Sequence, residues 1–334
     1  MFSHQNSLEL IRNAAEKRHQ ISQTSDAYRL FNGFYEGLPG LVLDRYGTAL
    51  VIVDHTEPGT WDSLIKAITD WATANLAGLE MVLYKQRLGS ENQNRQGLCL
   101  AGKKLPTQII EFGVHYALDL RLHQDASFYL DTRHLRQWLK ENMHQLRVLN
   151  TFCYSGSLGV AAGVGGAARV VQTDLNQRYL HLAQQSWQLN HLPAQKSQLI
   201  PGDFFRVVGR MRNEGRLFEC VILDPPFFST TEAGRVDLLG ETTRLVNKVR
   251  PLVAHQGKLV VINNALFLSG ADYMAELEQL CQSPYISIEK MIPVPPDITG
   301  YPETITAPPP VDPAPFNHPT KIAILKVIRK DSRQ

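Results

Sequence analysis

From Arg147 onward the chain alternates short apolar runs with longer amphipathic ones, and no other feature restricts its fold so strongly. Strand-like Arg147–Phe152, Arg169–Thr173, Phe218–Leu223 and Lys258–Ile262 alternate with helix-like Asn176–Asn190, Leu238–Val253 and Ala271–Gln282. Strands separated by helices of that length pair in parallel, with helices covering both faces of the sheet. A last apolar run, Lys321–Ile328, reads as a strand that joins the same sheet. The expected class is α/β with a mostly parallel, doubly wound sheet. In such a sheet a ligand lies beyond the carboxyl ends of the strands.

At 334 residues the chain is longer than one core usually supports, so two domains are expected. Leu8, Ile11, Ala14 and Ala15 recur at helical spacing, and residues 1–30 read as a helical segment ending in the turn-prone Ser22–Asp26. Leu41-Val42-Leu43 and Leu50–Val53 flank a Tyr46-Gly47 break like the arms of a hairpin. Thr60 then opens an amphipathic helix bearing Trp61, Leu64, Ile65, Ile68, Trp71 and Ala72, and Met81–Tyr84 returns as a strand. Residues 86–103 read as an exposed loop, with β-like Gln108–Ile110 and Tyr116–Leu118 beyond it. The expected division is a helical segment 1–30, a small α+β domain 31–122 and the doubly wound domain 123–334. Ten of the nineteen prolines fall between Pro293 and Pro319, which predicts a long structured loop there.

Apolar residues at 43% and charged residues at 20% exclude a disordered, collagenous or coiled-coil chain. Residues 1–6 lack a signal-peptide pattern and no run approaches the ~20 apolar residues of a spanning helix, so a protein without a membrane segment is expected. Cys99, Cys153, Cys220 and Cys281 are scattered without a C-x-x-C pair, which argues against zinc or a redox centre and for free thiols in the cytoplasm. Net charge is only +2, but residues 85–147 carry ten Lys/Arg against six Asp/Glu, plus His115, His123, His134 and His144. That strip is either an ordinary solvated surface or a phosphate-contacting one.

Four segments carry chemistry, each at an expected strand end. Asn150-Thr151-Phe152-Cys153-Tyr154-Ser155-Gly156 runs from a strand into a small-residue turn, where Gly156 allows a positive φ and leaves room for a nucleoside. Any β-to-α turn can also use such a glycine. Asp174 lies eighteen residues further on, at the next strand end, where a carboxylate can accept from both ribose hydroxyls or simply cap a helix. This pair suits adenosine-containing cofactors in general, but Gly156-Ser157-Leu158-Gly159 lacks the G-x-G-x-x-G that admits a pyrophosphate. In the third segment Asp203 can accept from an adenine amino group while Phe204 packs on the ring; Asp203 also fits as a helix N-cap. The fourth, Asp224-Pro225-Pro226-Phe227-Phe228, ends an apolar strand. Its prolines remove two donors and leave a rigid set of acceptors beside an aromatic face, suited to a flat base that is flipped out or single-stranded.

With these elements in order the chain resembles class I S-adenosylmethionine-dependent methyltransferases, which are Rossmann-like, and in particular the bacterial large-subunit rRNA methyltransferases of the I and K types. Asn32–Gly47, reading NGFYEGLPGLVLDRYG, is similar to that family's central-domain signature. Asp125-Ala126-Ser127-Phe128-Tyr129-Leu130-Asp131-Thr132-Arg133 resembles the segment that enters its catalytic domain beside the cofactor. The resemblance covers most of residues 32–330. It implies S-adenosyl-L-methionine as cofactor, with Phe128, Asp131, Arg133, Asn150, Phe152, Tyr154, Ser155, Gly156, Asp174, Leu175, Asp203, Phe204 and Asp224 around it. It also implies RNA, above all rRNA, as substrate, and a family in which homodimers occur.

Two departures shape the expected reaction. The family commonly begins with a PUA-type RNA-binding module, and about 30 residues before the central domain are too few for one. Methylation of cytosine C5 needs a cysteine thiolate to add to the ring, yet Val260-Val261-Ile262-Asn263-Asn264 holds none where the I type carries it. The Asn-Asn pair and the segment that begins at Asp125 both look closer to the K type, which methylates guanine N7, a nitrogen with its own lone pair. The expected order is therefore guanine N7, then an exocyclic amine, then cytosine C5. Asp224 is assigned to the base edge, Pro225 and Pro226 to the rigid turn, Phe227 to packing and Asn263 to orientation. The alternatives are a protein or small-molecule substrate, a noncatalytic RNA-binding protein, or an NAD-dependent oxidoreductase.

Overall fold

The computed structural model describes residues 4–88, 96–122, 126–240 and 242–331. His123 and Asp125, singled out above, and residues 89–95 of the expected 86–103 loop lie outside the described residues. The chain divides into two units, residues 1–130 with 295–308 and residues 131–294 with 309–334.

In the first unit helix α1 (His4–Lys17) precedes strands β1 (Ala27–Asn32), β2 (Leu41–Tyr46) and β3 (Ala49–Asp54), helix α2 (Asp62–Asn75), β4 (Met81–Gln86) and β5 (Leu98–Ala101). These strands form one sheet in chain order, antiparallel except for β3 and β4, which the α2 crossover joins in parallel. Strand β1 corrects the helical reading of residues 1–30: Ala27, Tyr28, Leu30 and Phe31 are all buried, and the strand pairs with β2. Ile11 and Ala14 of α1 pack with Leu64, Ile65 and Ile68 of α2 on Phe31, Leu41, Leu43, Leu50 and Ile52. Gly33, inside the signature segment, is required sterically, since a Cβ there would stand 2.1 Å from the Leu38 carbonyl oxygen. A hairpin of β6 (Gln108–Glu111) and β7 (Val114–Ala117) follows.

The returning 295–308 segment is locked in by charge. Arg18, fully buried, donates to both Glu36 oxygens at 3.0 Å and to the Asp297 carbonyl at 2.9 Å. The Asp297 carboxylate in turn accepts the Arg29 backbone N–H at 3.0 Å. A bidentate guanidinium pair of this kind satisfies charges that would otherwise be stranded in the interior.

The second unit runs α3 (Arg133–Asn142), β8 (Arg147–Thr151), α4 (Ser157–Val164), β9 (Arg169–Asp174), α5 (Gln177–Leu189), β10 (Ser197–Pro201), α6 (Phe204–Asn213) and β11 (Phe218–Leu223). A hairpin of β12 (Phe228–Thr231) and β13 (Gly234–Asp237) leads to α7 (Thr242–Val249), β14 (Val253–Asn263), α8 (Gly270–Cys281), β15 (Ile286–Ile292) and β16 (Lys321–Val327). The seven-strand sheet has the order β10-β9-β8-β11-β14-β16-β15. All neighbours are parallel except those of β16, which is antiparallel to both β14 and β15. The last strand thus joins the sheet as expected.

Strand periodicity builds the core. Leu149, Val171, Val221, Leu223, Leu259, Val261, Ala323 and Leu325 lie at alternate positions and pack with Val207 and Met211 of α6, Leu245 and Val249 of α7, and Leu277 of α8. On α4, added Cβ atoms at Gly159 and Gly163 would collide with Gln172 and the Trp187 ring. Close helix approach depends on those missing methyl groups. Strand order reverses between β8 and β11, so the crevice beyond their carboxyl ends is where such a sheet takes a ligand.

Candidate active site

The turn after β8 is under backbone strain. Phe152, Tyr154 and Gly156 have φ of 52, 50 and 78°, and a non-glycine residue held there costs about 1–3 kcal/mol. Compensation comes from the next strand. The Asp174 carboxylate accepts the Tyr154 N–H at 2.9 Å and the Asn176 N–H at 2.9 Å, and the Thr173 carbonyl accepts the Cys153 N–H at 3.0 Å. Burial raises the Asp174 pKa, while the backbone donors from Asn176 and Tyr154 pull against it. The Leu175 N–H is a further backbone donor to this carboxylate, which still leaves acceptor capacity for a hydroxyl donor. Leu175, next in sequence, is 65% exposed and offers an apolar surface at the strand end.

Gly156 has a role other than clearing space for a nucleoside. A Cβ there would meet the Ala183 Cβ at 2.4 Å and Gln172 Oε1 at 2.9 Å, so the glycine lets the turn settle onto α5 and β9. Asn150 is likewise turned inward. It is fully buried and donates to Gln172 Oε1 at 3.2 Å, which makes it a support beneath the turn.

Asp203 caps α6, accepting the Arg206 N–H at 3.1 Å, and its second oxygen accepts the Thr231 hydroxyl at 2.6 Å. Phe204 is buried and stacks on Phe152 with centroids 4.4 Å apart, while Tyr154 meets Tyr179 edge-on at 4.5 Å. The Phe204 ring therefore braces the turn of β8. Phe128 belongs to the first unit, where its buried ring packs on Tyr116 at 5.0 Å.

Beyond β11, Asp224 is only partly accessible, and burial pushes its carboxyl up to about 7 with the Asp131 charge adding to the rise. Asp131 accepts the Thr320 hydroxyl at 2.7 Å. Arg133 is buried at the start of α3. Pro225 is buried, Pro226 exposed, and Phe227 is 43% exposed beside them. An acidic acceptor and an open aromatic face thus share one strand end.

Asn263 is corrected by its surroundings. It is fully buried; its amide lies 3.3 Å from the Leu238 carbonyl and 3.4 Å from the Thr242 hydroxyl, and its oxygen accepts the Ala265 N–H at 2.9 Å. These bonds shape the turn, and the neighbour left exposed is Asn264. Three features escaped sequence reasoning. Leu266 and Phe267, the latter 73% exposed, follow β14; their signal was an apolar pair placed where a strand had ended. Lys321, fully buried, donates to the Ala265 carbonyl at 3.0 Å and to the Pro319 carbonyl, and burial lowers its pKa to about 8. A lysine opening an otherwise apolar strand was its sequence mark. The bond from Thr320 to Asp131 had no local signal.

Cys153 and Cys220 are not activated as thiolates. Burial raises Cys153 well above a free thiol, helped by Asp174, and pushes Cys220 up to about 12. Among the described residues no cluster of three metal-binding side chains occurs, and no helix is long and apolar enough to cross a membrane.

The donor set tests the cofactor. Residues 150–160 contain no Lys or Arg, and the strand ends and following turns nearby present Asp174, Asp203 and Asp224, with Asp131, just before α3, close enough to act on Asp224. An acidic rim repels a pyrophosphate and suits a nucleoside bearing a positive sulfonium, so the residues fit S-adenosylmethionine and not a dinucleotide.

Comparison with known proteins agrees. Ribosomal RNA large subunit methyltransferase I of Shigella boydii is 30% identical over 215 residues, which are 61% of this chain and 52% of that protein. The chain spans about half the length of the curated relatives it matches. Among solved structures, SMU.776, a candidate methyltransferase complexed with SAH, superposes with TM-score 0.85 at 21% identity over 98% of this chain and 82% of that one. A candidate SAM-dependent methyltransferase from Streptococcus mutans gives TM-score 0.82 at 20% identity, over 98% and 82% of the two chains. A family model for S-adenosylmethionine-dependent methyltransferases matches residues 56–305. Since that match takes in every strand end that builds the acidic rim, the chain belongs to the S-adenosylmethionine-dependent methyltransferase family.

Proposed function

We propose that the protein methylates a nucleobase in RNA, with ribosomal RNA as the substrate class and guanine N7 ahead of an exocyclic amine and cytosine C5. One observation carries this reading: Asp224, Pro225 and Pro226 put fixed acceptors beside the exposed Phe227 ring at the strand switch point. Such an edge suits the N–H donors of a guanine whose face lies against an aromatic ring. S-adenosylmethionine, when bound, supplies an electrophilic methyl group on a sulfonium. Asp174 would hold the ribose hydroxyls, and Leu175 would cover the adenine.

The residues then divide the work. Attack by N7 needs no proton removed, but it leaves a positive charge on the purine, which the carboxylates of Asp224 and Asp131 are placed to offset. Positioning and exclusion of water supply the remainder. Attack by an exocyclic amine would in addition need a base, and a carboxyl near 7 such as Asp224 can serve. Cytosine C5 comes last because Cys153 and Cys220 are buried thiols held above the usual range. The relatives' name supports ribosomal RNA, and free cysteines go with a cytoplasmic setting.

The test is nucleoside mass spectrometry of ribosomal and transfer RNA from cells with and without the gene, followed by treatment of the deletion RNA with purified protein and labelled cofactor. Loss and restoration of 7-methylguanosine is expected. Restoration of a different methylated base would move the target atom. An unchanged RNA pool, with cofactor still bound, would reject RNA in favour of a protein or small-molecule substrate.

A further inference from the structure

The amino ends of the same strands form a second, chemically opposite place. Arg147 opens β8 and pairs in register with Arg169, which opens β9; Gln198 lies at the start of β10. With Glu214 and Arg216, which precede β11, they line a cavity of about 480 Å³. Arg147 is already matched: Glu219 accepts its backbone N–H at 2.7 Å and its Nε at 3.0 Å. Glu214 sits 3.8 Å from Arg210, one helical turn away.

Arg169 and Arg216 have no carboxylate within ion-pair distance among the described residues; Arg216 feels the Glu214 charge and lies over the Phe218 ring at 5.3 Å. Each donates one Nη2 to the same atom, Gln198 Oε1, at 3.1 Å, so the two nitrogens lie within about 6 Å of one another. Neither forms an ion pair among the described residues. Burial pushes the Arg216 guanidinium down from its ordinary range; the Glu214 carboxylate pulls against that shift, and the Arg169 and Arg210 charges add to it. A neutral amide oxygen cannot cancel two converging charges, whereas a multiply charged oxyanion can. The guanidinium fork also matches phosphate geometry.

We propose that this cavity is a phosphate-binding site in which Arg169 and Arg216 grip the anion and Gln198 holds the two side chains in register. It stands apart from the methyl-transfer site, at the other end of β8 and β9, and does not depend on what is methylated. Phosphate can arrive as the backbone of an RNA or as a free phosphate-bearing molecule.

The probe is inorganic phosphate, titrated against chloride at matched ionic strength while thermal unfolding of the full chain is followed. The wild type should gain Tm along a saturating curve, and Arg169→Gln with Arg216→Gln should abolish the saturating part. Arg169→Lys, which keeps charge but loses the fork, should keep part of the gain and guards against a folding defect in the double variant. A Tm rise that is unsaturable and equal in wild type and double variant would overturn the proposal, since that is what general exclusion of phosphate from protein surfaces produces. The source is read from single-stranded RNA binding as salt is varied. If RNA backbone fills the site, the double variant binds more weakly and its log–log salt slope is shallower by about 1.4, from two lost contacts. If a free molecule fills it, RNA affinity and slope stay constant while the saturating Tm gain still disappears.

Discussion

The two ends of the seven-strand sheet carry opposite charge on the same scaffold. Its carboxyl ends present Asp174, Asp203 and Asp224, with Asp131 beside them; its amino ends present Arg169 and Arg216 beside Glu214, with Arg147 matched by Glu219. The carboxyl end is also the strained one, with Phe152 and Tyr154 at positive φ, while the first residues of β8 and β9 sit in regular parallel register. Six of the seven strands run parallel and leave the sheet at one end, where only β16 enters, so their turns converge there and can store strain and project backbone groups. The other end receives chains from helices and is free to collect long side chains. Acceptors for a cationic nucleoside and donors for an anion thus occupy separate places.

The sharpest way to break this contrast is at Asp224. Asp224→Ala should lower methyl transfer about 10²- to 10³-fold in single-turnover assays with labelled cofactor, with cofactor affinity by calorimetry largely kept. Retained turnover would remove the base-edge role. Asp174→Ala should act on cofactor affinity instead, weakening it about 10- to 100-fold, because ribose acceptance and the Tyr154 and Asn176 N–H partners are lost together. A loss confined to turnover would show that the two carboxylates do not divide the site.

A smaller effect comes from pH. The folded Asp224 carboxyl sits near 7, above its ordinary 3.8, so between those values the folded state holds a proton that the unfolded state has released. Stability of the cofactor-free protein should fall as pH rises through that window, and Asp224→Asn should remove the loss. At pH 8 the variant should melt a few degrees higher than wild type, for about 1–3 kcal/mol, and the gap should close near pH 4. Equal pH profiles would mean the carboxyl is not destabilised by burial. Smallest is the pair after β14. Asn263→Ala strands the Ala265 N–H and should cost about 1–3 kcal/mol by thermal unfolding, whereas Asn264→Ala should leave Tm within a degree. Equal Tm changes would show that both asparagines are surface residues.

Strands with clear periodicity are legible in the sequence. Phe218–Leu223 was read to the residue, and Arg147–Thr151, Arg169–Asp174 and Lys321–Val327 to within one. The strand Ala27–Asn32 was not, because Tyr28, Leu30 and Phe31 continue the apolar tone of the helix before them and only pairing with β2 settles their conformation. In the candidate site, Asp174 and Asp224 stand out in the sequence because strand-end carboxylates are visible there. The orienting role falls on Asn263 rather than Asn264 in the sequence because adjacent residues at a strand end face opposite ways and the pattern does not say which is inside; the structure buries Asn263 and exposes Asn264.

Alternation of apolar runs with amphipathic ones was enough by itself to determine the α/β class, the parallel sheet and the placing of chemistry at strand ends, because periodicity reports which face of each element must be buried. Only tertiary structure decided that Gly156 makes room for Ala183, that Phe204 braces Phe152, that Thr320 holds Asp131, and that Arg169 and Arg216 meet on one amide oxygen. Those are contacts between residues distant in the chain, and their partners are chosen by strand order, which local pattern does not encode.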